Sequence, residues 1–215
     1  MASPPRPSAM YLLIAGVSLP ILRVVYRLRA TGREHLPDGG CVLAANHWSN
    51  FDPWPLGIPL FPQRFLRFMA KKELFWPPLG WIIRAGGAFP VDRSGGDQQA
   101  ISTAVELCRA GHVVVMFPEG TRRRKGMLKR HEARWRTGAA RIALEAGVPL
   151  VPAGIAGTDR LARLAPLRVA YGAPIATRDL AGRDAQEVAE LATERLRVAI
   201  AQLEGTLGST PQEPT

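Results

Sequence analysis

The chain has 215 residues, 47% of them hydrophobic and 21% charged, enough for one full α/β core and too few for two comfortable domains. Its formal net charge of +10 excludes a preference for cationic partners and favours anionic ones: acidic membrane surface, phosphorylated substrate or nucleic acid. No ribonucleoprotein or zinc-finger pattern occurs, so specific nucleic-acid binding is not expected.

Taken in chain order, the N-terminus begins with the Pro-rich "MASPPRPSAM" and continues as "YLLIAGVSLPILRVVYRL", apolar from Tyr11 to Leu22 and interrupted by Pro20 and Arg23. A spanning helix needs about 20 clean apolar residues, so this segment is marginal for crossing. It reads best as an amphipathic helix in the membrane interface, with Arg23, Arg27 and Arg29 towards acidic headgroups. A signal peptide behind Arg6 has no convincing cleavage site, and the bland alternative is a first core helix. Residues 1–29 are thus assigned to a tail and interfacial helix, 30–205 to one domain and 206–215 to a disordered tail.

Next comes "CVLAAN", a short buried strand over Cys41–Ala45, and then "NHWSNFD". Phe65–Ala70 is a second strand candidate. "KKELFWPPLGWIIRAGG" is amphipathic and aromatic, broken at Pro77 and Pro78, and "GAFPV" is a third strand ending at Val91. Helical spacing runs from Gln98 to Arg109 through Ile101, Val105, Leu107 and Cys108. "HVVVMF" gives a strand over Val113–Phe117, Thr137–Ala146 a helix, and "PLVPAGI" and "LRVAYG" two further strands. Asp184 and Glu187 have the spacing of a capping box opening a last helix that carries Val188, Leu191, Leu196, Ala199 and Leu203 and closes near Gly205. The alternation predicts one α/β domain with a mixed, mostly parallel sheet flanked by helices. In such sheets ligands bind beyond the carboxyl ends of the strands, where His47, Arg93, Glu119 and Gly157 all fall.

The chemistry-bearing residues sit at those ends. An imidazole can take the proton of an attacking hydroxyl, and a carboxylate on its other nitrogen fixes the tautomer. His47 and Asp52, five residues apart, can make that pair across a tight turn, although the pattern alone is weak. "FPEGTRRRKG" leaves a strand, turns at Pro118 and Gly120, and offers Glu119, Thr121 and Arg122. The guanidinium fork of Arg122 suits phosphate oxygens, and the glycine lets backbone approach a ligand. "GAFPVDRSGGD" repeats the form with Arg93. Arg123, Arg124 and Lys125 are either solvated or facing lipid headgroups. The other histidines, His35, His112 and His131, have no metal spacing, and Cys41 and Cys108 read as buried hydrophobes in a reducing compartment. No metal and no cofactor is expected.

Together these segments resemble the glycerolipid acyltransferase family typified by 1-acylglycerol-3-phosphate acyltransferase. "NHWSNFD", "GAFPVDR", "FPEGTR" and "VPLVPAGIAGT" are similar to its four motifs in order, over roughly residues 30 to 175. The resemblance implies transfer of a fatty acyl group from acyl-CoA or acyl-carrier protein to the hydroxyl of a lysophospholipid. It implies His47 as base and Asp52 as its partner, and Arg93, Glu119, Gly120, Thr121 and Arg122 around the acceptor phosphate. It also implies a place on the cytoplasmic face of the cell membrane, peripheral or monotopic. The same chemistry on glycerol-3-phosphate or a lyso-aminolipid stays open, as does a non-catalytic basic module binding membrane or nucleic acid. One departure is the insertion "MLKRHEARWRTG", which puts Trp135, Arg136 and Gly138 where the family has Phe-Lys-x-Gly.

Overall fold

A computed structural model describes residues 7–91, 98–120, 124–125, 129–130 and 135–208. Helix α1 (Ala9–Pro20) runs into a π-helical turn at Ile21–Val25. The chain then forms β1 (Arg29–Thr31), β2 (Cys41–Ala45), the short α2 (Pro53–Gly57), β3 (Leu66–Lys71), α3 (Leu79–Ala85) and β4 (Ala88–Val91). After these come α4 (Gln98–Arg109), β5 (Val113–Met116), the small hairpin β6 (Arg124–Lys125) and β7 (Lys129–Arg130), and α5 (Gly138–Ala146). The chain ends with β8 (Leu150–Ala156), β9 (Arg168–Tyr171) and α6 (Ala185–Gly208).

Seven strands make one sheet in the order β1-β9-β8-β2-β5-β3-β4. All neighbours are parallel except β8 and β9, so β9 and β1 run against the rest. This is the mixed, mostly parallel sheet expected from the alternation. Strand β2 is its centre: Leu43 lies opposite Val115 on one side and Val151 on the other. All five of its side chains are buried, which is why it reads as an unbroken apolar run rather than an alternating one.

The faces of β2 sort the molecule into layers. Val42 and Ala44 pack with α4, α5 and α6 through Ala104, Ile142 and Leu196. Cys41, Leu43 and Ala45 pack with Leu56 and Leu60 on the other face. Burial of each such aliphatic side chain stabilises the fold by roughly 1.5–3 kcal/mol. Both cysteines are buried thiols, each pushed up to about 12 by burial, as small hydrophobes would be.

Several boundaries differ from the sequence reading, and each has a cause. Helix α6 continues to Gly208 rather than closing near Gly205, so residues 206–208 of the expected tail are helical. Leu203 and Leu207 pack against the bare backbone of Gly154 in β8, which gives the extra turn a partner. Residues 209–215 lie outside the described residues. On α6 the buried face is Ala189, Ala192, Leu196 and Ile200, while Leu191 points outward. Only half of the capping box forms: Asp184 accepts from Gln186 and Glu187 N–H, but the Glu187 carboxylate takes Arg183 instead. Strand β1 carried too few residues to be read at all.

Helix α1 departs from a simple amphipathic segment. Tyr11, Ala15 and Leu22 pack on Ile58 and Leu167, giving it the contacts of a core helix. The outer side of α1 and of the π-helical turn after it is apolar too, with Leu13 61%, Val17 56% and Val24 75% exposed. Arg27, expected to face headgroups, donates to Leu164 O at 2.9 Å. No helix among the described residues is long and apolar enough to cross a membrane.

Candidate active site

Strand β2 ends at Ala45, and the next residue, Asn46, is fully buried. Its amide nitrogen donates to Ile155 O at 2.9 Å and its oxygen accepts from Ile155 N at 2.8 Å. The same nitrogen donates to Glu204 of α6 at 3.0 Å. The end of the central strand is thereby tied to β8 and to the C-terminal helix before the chain turns.

The turn is organised by Asp52, whose side chain is wholly buried. One oxygen, Oδ2, accepts from His47 Nδ1 at 2.7 Å, from Trp48 N–H at 2.7 Å and from Ser49 N–H at 2.9 Å. Pro53 then starts α2, where its fixed φ suits the first helical position and its missing N–H is no loss. The five-residue gap thus closes as the sequence suggested. The second oxygen, Oδ1, is buried with no hydrogen-bond partner among the described residues.

With Nδ1–H donated to a carboxylate, the neutral imidazole has its lone pair on Nε2. The His47 side chain is 18% exposed, so the ring is not sealed in the core, and it stands at the carboxyl edge of the sheet. The ring lies flat on Phe117, with centroids 4.1 Å apart and planes 17° from parallel. Phe117 follows β5, the strand beside β2. The imidazole is therefore fixed by a carboxylate on one edge and an aromatic face beneath, and it can accept a proton without reorienting.

Glu119 is buried in the turn after Phe117. Gly120 has φ +70°, the left-handed region a glycine enters freely. A Cβ there would stand 2.8 Å from Arg136 Nε, because the Arg136 side chain crosses over the turn. Arg136 N–H also donates to Pro118 O at 2.9 Å. The exposed guanidinium of Arg136 is thus brought to the "FPEG" turn across the insertion.

Of the sequence-derived site residues, His47 and Asp52 meet directly, and Glu119 and Gly120 lie in the turn two residues beyond the ring that His47 stacks on. Arg93, Thr121 and Arg122 lie outside the described residues, as does His131. The fourth motif contributes Ile155 as the partner of Asn46, and Gly157 at φ +95° turns the chain where a Cβ would meet Pro166 O at 2.3 Å. Three contributors were not among the site residues expected from sequence: Asn46, Phe117 and Arg136. Asn46 and Phe117 stood inside quoted motifs, and Arg136 stood in the family's Lys position, but only the pairing of distant segments gives them work. No group of His, Cys, Asp or Glu among the described residues is arranged to hold a metal ion.

Comparison with known proteins gives the family. A family model described as Acyltransferase matches residues 27–156. The chain is 33% identical over 206 residues to a 1-acyl-sn-glycerol-3-phosphate acyltransferase of Bacillus subtilis (strain 168), covering 92% of this chain and 98% of that one. It is 36% identical over 122 residues to a protein of the same name from Streptococcus pneumoniae, covering 56% of this chain and 43% of that one. The crystal structure of the acyltransferase PlsC from Thermotoga maritima superposes with a TM-score of 0.66 at 24% identity, over 94% of this chain and 80% of that one, which shows a shared fold. The chain belongs to the Acyltransferase family.

Proposed function

We propose that this protein transfers a fatty acyl group from a thioester donor, acyl-CoA or acyl-carrier protein, to the free hydroxyl of 1-acylglycerol-3-phosphate, giving phosphatidic acid. The observation that carries the reading is the 2.7 Å bond from His47 Nδ1 to the buried Asp52, which leaves Nε2 as the basic nitrogen at the sheet edge. The names of the relatives support the acceptor class.

The reaction needs no covalent enzyme intermediate. The acceptor oxygen attacks the thioester carbonyl while His47 Nε2 takes its proton, and a C–O bond forms. Asp52 stabilises the imidazolium that results. The tetrahedral intermediate collapses with loss of the C–S bond, and the imidazolium returns the proton to the departing thiolate. Arg93, Arg122 and Arg136 hold the acceptor phosphate, with Glu119 and Gly120 shaping the turn beside it. Fixing the phosphate places the hydroxyl near His47, which supplies the orientation term.

The enzyme works at the cytoplasmic face of the cell membrane, where its lipid acceptor resides. The exposed Leu13 and Val17 of α1, with Val24 of the π-helical turn, support a peripheral or monotopic attachment. Because Leu22 is fully buried, truncating the N-terminus would unfold core as well as remove surface, so Leu13→Ser with Val17→Ser is the cleaner probe of attachment.

The deciding experiment offers purified protein palmitoyl-CoA or palmitoyl-acyl-carrier protein with a panel of acceptors, products being resolved by mass spectrometry. The panel holds 1-acylglycerol-3-phosphate, glycerol-3-phosphate, lyso-aminolipids and a lysolipid without phosphate. Phosphatidic acid as main product supports the reading; transfer indifferent to the phosphate, or none with any acceptor, overturns it.

A further inference from the structure

The connection from β3 to β4 is not used by the chemistry above, yet it exposes the largest aromatic surfaces of the described chain. Trp76 is 58% exposed, Trp81 70% and Ile82 57%, with Leu74 beside them. They stand on a rigid frame. Gly80 N–H donates to Trp76 O at 2.7 Å and Trp81 N–H to Pro78 O at 3.1 Å, and Gly80 packs so closely on Phe75 that a Cβ would meet its backbone. The Arg84 guanidinium rests 4.7 Å above the Phe75 ring. Lys71, Lys72 and Arg84 are all exposed around the aromatic residues, against the single carboxylate of Glu73.

Soluble proteins seldom leave such clusters in water. Tryptophan beside lysine and arginine is the composition of a bilayer interface, where the ring sits at headgroup level and the cation meets lipid phosphate. Topology adds a second, independent reason. The β2-to-β3 and β3-to-β4 connections step the same way along the sheet, and parallel crossovers are right-handed, so both pass over one face. That face holds Leu56, Leu60 and α1. Helix α4 steps back from β4 to β5 and lies on the other. The exposed apolar side chains of α3 and α1 therefore belong to the same side of the molecule. The segment also starts at Lys71, the carboxyl end of β3, which is the end of the sheet where His47 lies.

We propose that residues 71–84 form a second docking surface, distinct from α1, that seats on an anionic lipid bilayer, with Trp76, Trp81 and Ile82 in the interface and Lys71, Lys72 and Arg84 on lipid phosphates. Two separated contacts fix the tilt of the molecule, where one helix alone would let it swivel. The site edge is then held against the leaflet that supplies the acceptor. The proposal rests on the acyl-transfer reading only for that purpose, since docking is measured without catalysis.

The test uses the full chain and vesicles of phosphatidylcholine, with or without about one third phosphatidylglycerol, read by flotation. Trp76→Ser with Trp81→Ser is expected to lower the partition coefficient about tenfold with the thermal midpoint unchanged. Lys71→Glu with Arg84→Glu should lose only the part that phosphatidylglycerol adds and that salt screens. A second readout does not depend on losing tryptophans: Ile82→Cys, labelled with a polarity-sensitive dye while the two buried native thiols stay unreactive, should shift to the blue when vesicles are added. Wild-type flotation by the tryptophan variant, or no spectral shift at position 82, overturns the proposal. So does a wild-type dimer in vesicle-free buffer that the tryptophan variant turns into a monomer, because a second copy then covers the patch. Failure of the acyltransferase assay with normal flotation would leave docking standing and remove the chemistry.

Discussion

Asn46 and Ile155 hold each other from both sides: the Asn46 amide nitrogen donates to Ile155 O and its oxygen accepts from Ile155 N, at 2.9 and 2.8 Å. The pair spans 109 residues and sits immediately before His47 in the chain. Asn46→Ala strands both Ile155 groups in a dry interior, a loss of about 2–4 kcal/mol that a urea midpoint would register. Asn46→Asp should be no better. It keeps an acceptor for Ile155 N–H but turns a second oxygen without hydrogen towards Ile155 O and Glu204. A midpoint unchanged in either variant would mean the clasp is not holding the strand end.

The Asp52 carboxylate serves two purposes that substitution can separate. An amide oxygen in Asp52→Asn can still accept the three bonds now made to Oδ2, so the turn should survive. What disappears is the charge opposite the imidazolium, and kcat is expected to fall about 10²–10⁴-fold with a near-native melting temperature. Asp52→Ala removes the acceptor of two backbone N–H groups as well and should melt earlier by circular dichroism. His47→Ala is expected to lose activity by about 10³-fold or more without that loss of stability. Near wild-type turnover in this variant would remove His47 from the chemistry.

Gly120 and Arg136 should report on the acceptor phosphate. Gly120→Ala places a methyl 2.8 Å from Arg136 Nε on a backbone at φ +70°. The guanidinium can swing aside, so the strain costs only about 1 kcal/mol. The displacement, however, should raise KM for the phosphorylated acceptor severalfold. Arg136→Ala and Arg93→Ala should do the same with kcat less affected, and neither should change KM for the thioester. Steady-state kinetics with each substrate varied in turn distinguish this from a general loss of fold.

Cys41 and Cys108 supply a pH prediction. Burial pushes both thiols from an ordinary 9.0 up to about 12, so the folded chain keeps its protons where the unfolded chain releases them. The unfolded state then binds fewer protons, and stability falls as pH rises. The contribution is complete below about pH 9 and is lost progressively towards pH 12. Urea midpoints between pH 8 and 11 should decline, and replacing both cysteines with alanine should flatten that decline. In native buffer at pH 8 the thiols should resist iodoacetamide and react once denatured.

Much of this was legible before any coordinates. The central strands announce themselves because a strand buried on both faces must be apolar at every position, as Cys41–Ala45 is. Helix α4 was read to the residue because one face of it is consistently apolar. The His47–Asp52 pair was legible because it is local, closed by a turn of six residues. What escaped was what depends on pairing at a distance. Strand β1 exists only because Ala30 lies opposite Val169, and nothing in three residues encodes that. Phe117 beneath His47 and Arg136 over Gly120 are likewise products of strand order and of the bond from Arg136 N–H to Pro118 O. Helix α1 was legible only in part for a different reason: hydrophobicity does not say which side of an apolar helix packs on protein, and α1 is packed on one side and exposed on the other.

Strand β2 has a ladder on each side, and His47, the proton acceptor of the proposed reaction, follows its end by two residues. A strand in that position can let go only when the sheet itself comes apart, so its amides should be among the last in the protein to exchange with deuterium. The consequence is that thermal inactivation should track global unfolding. Heat will not loosen His47 in an otherwise intact molecule, and activity should vanish over the same few degrees as the far-ultraviolet dichroism.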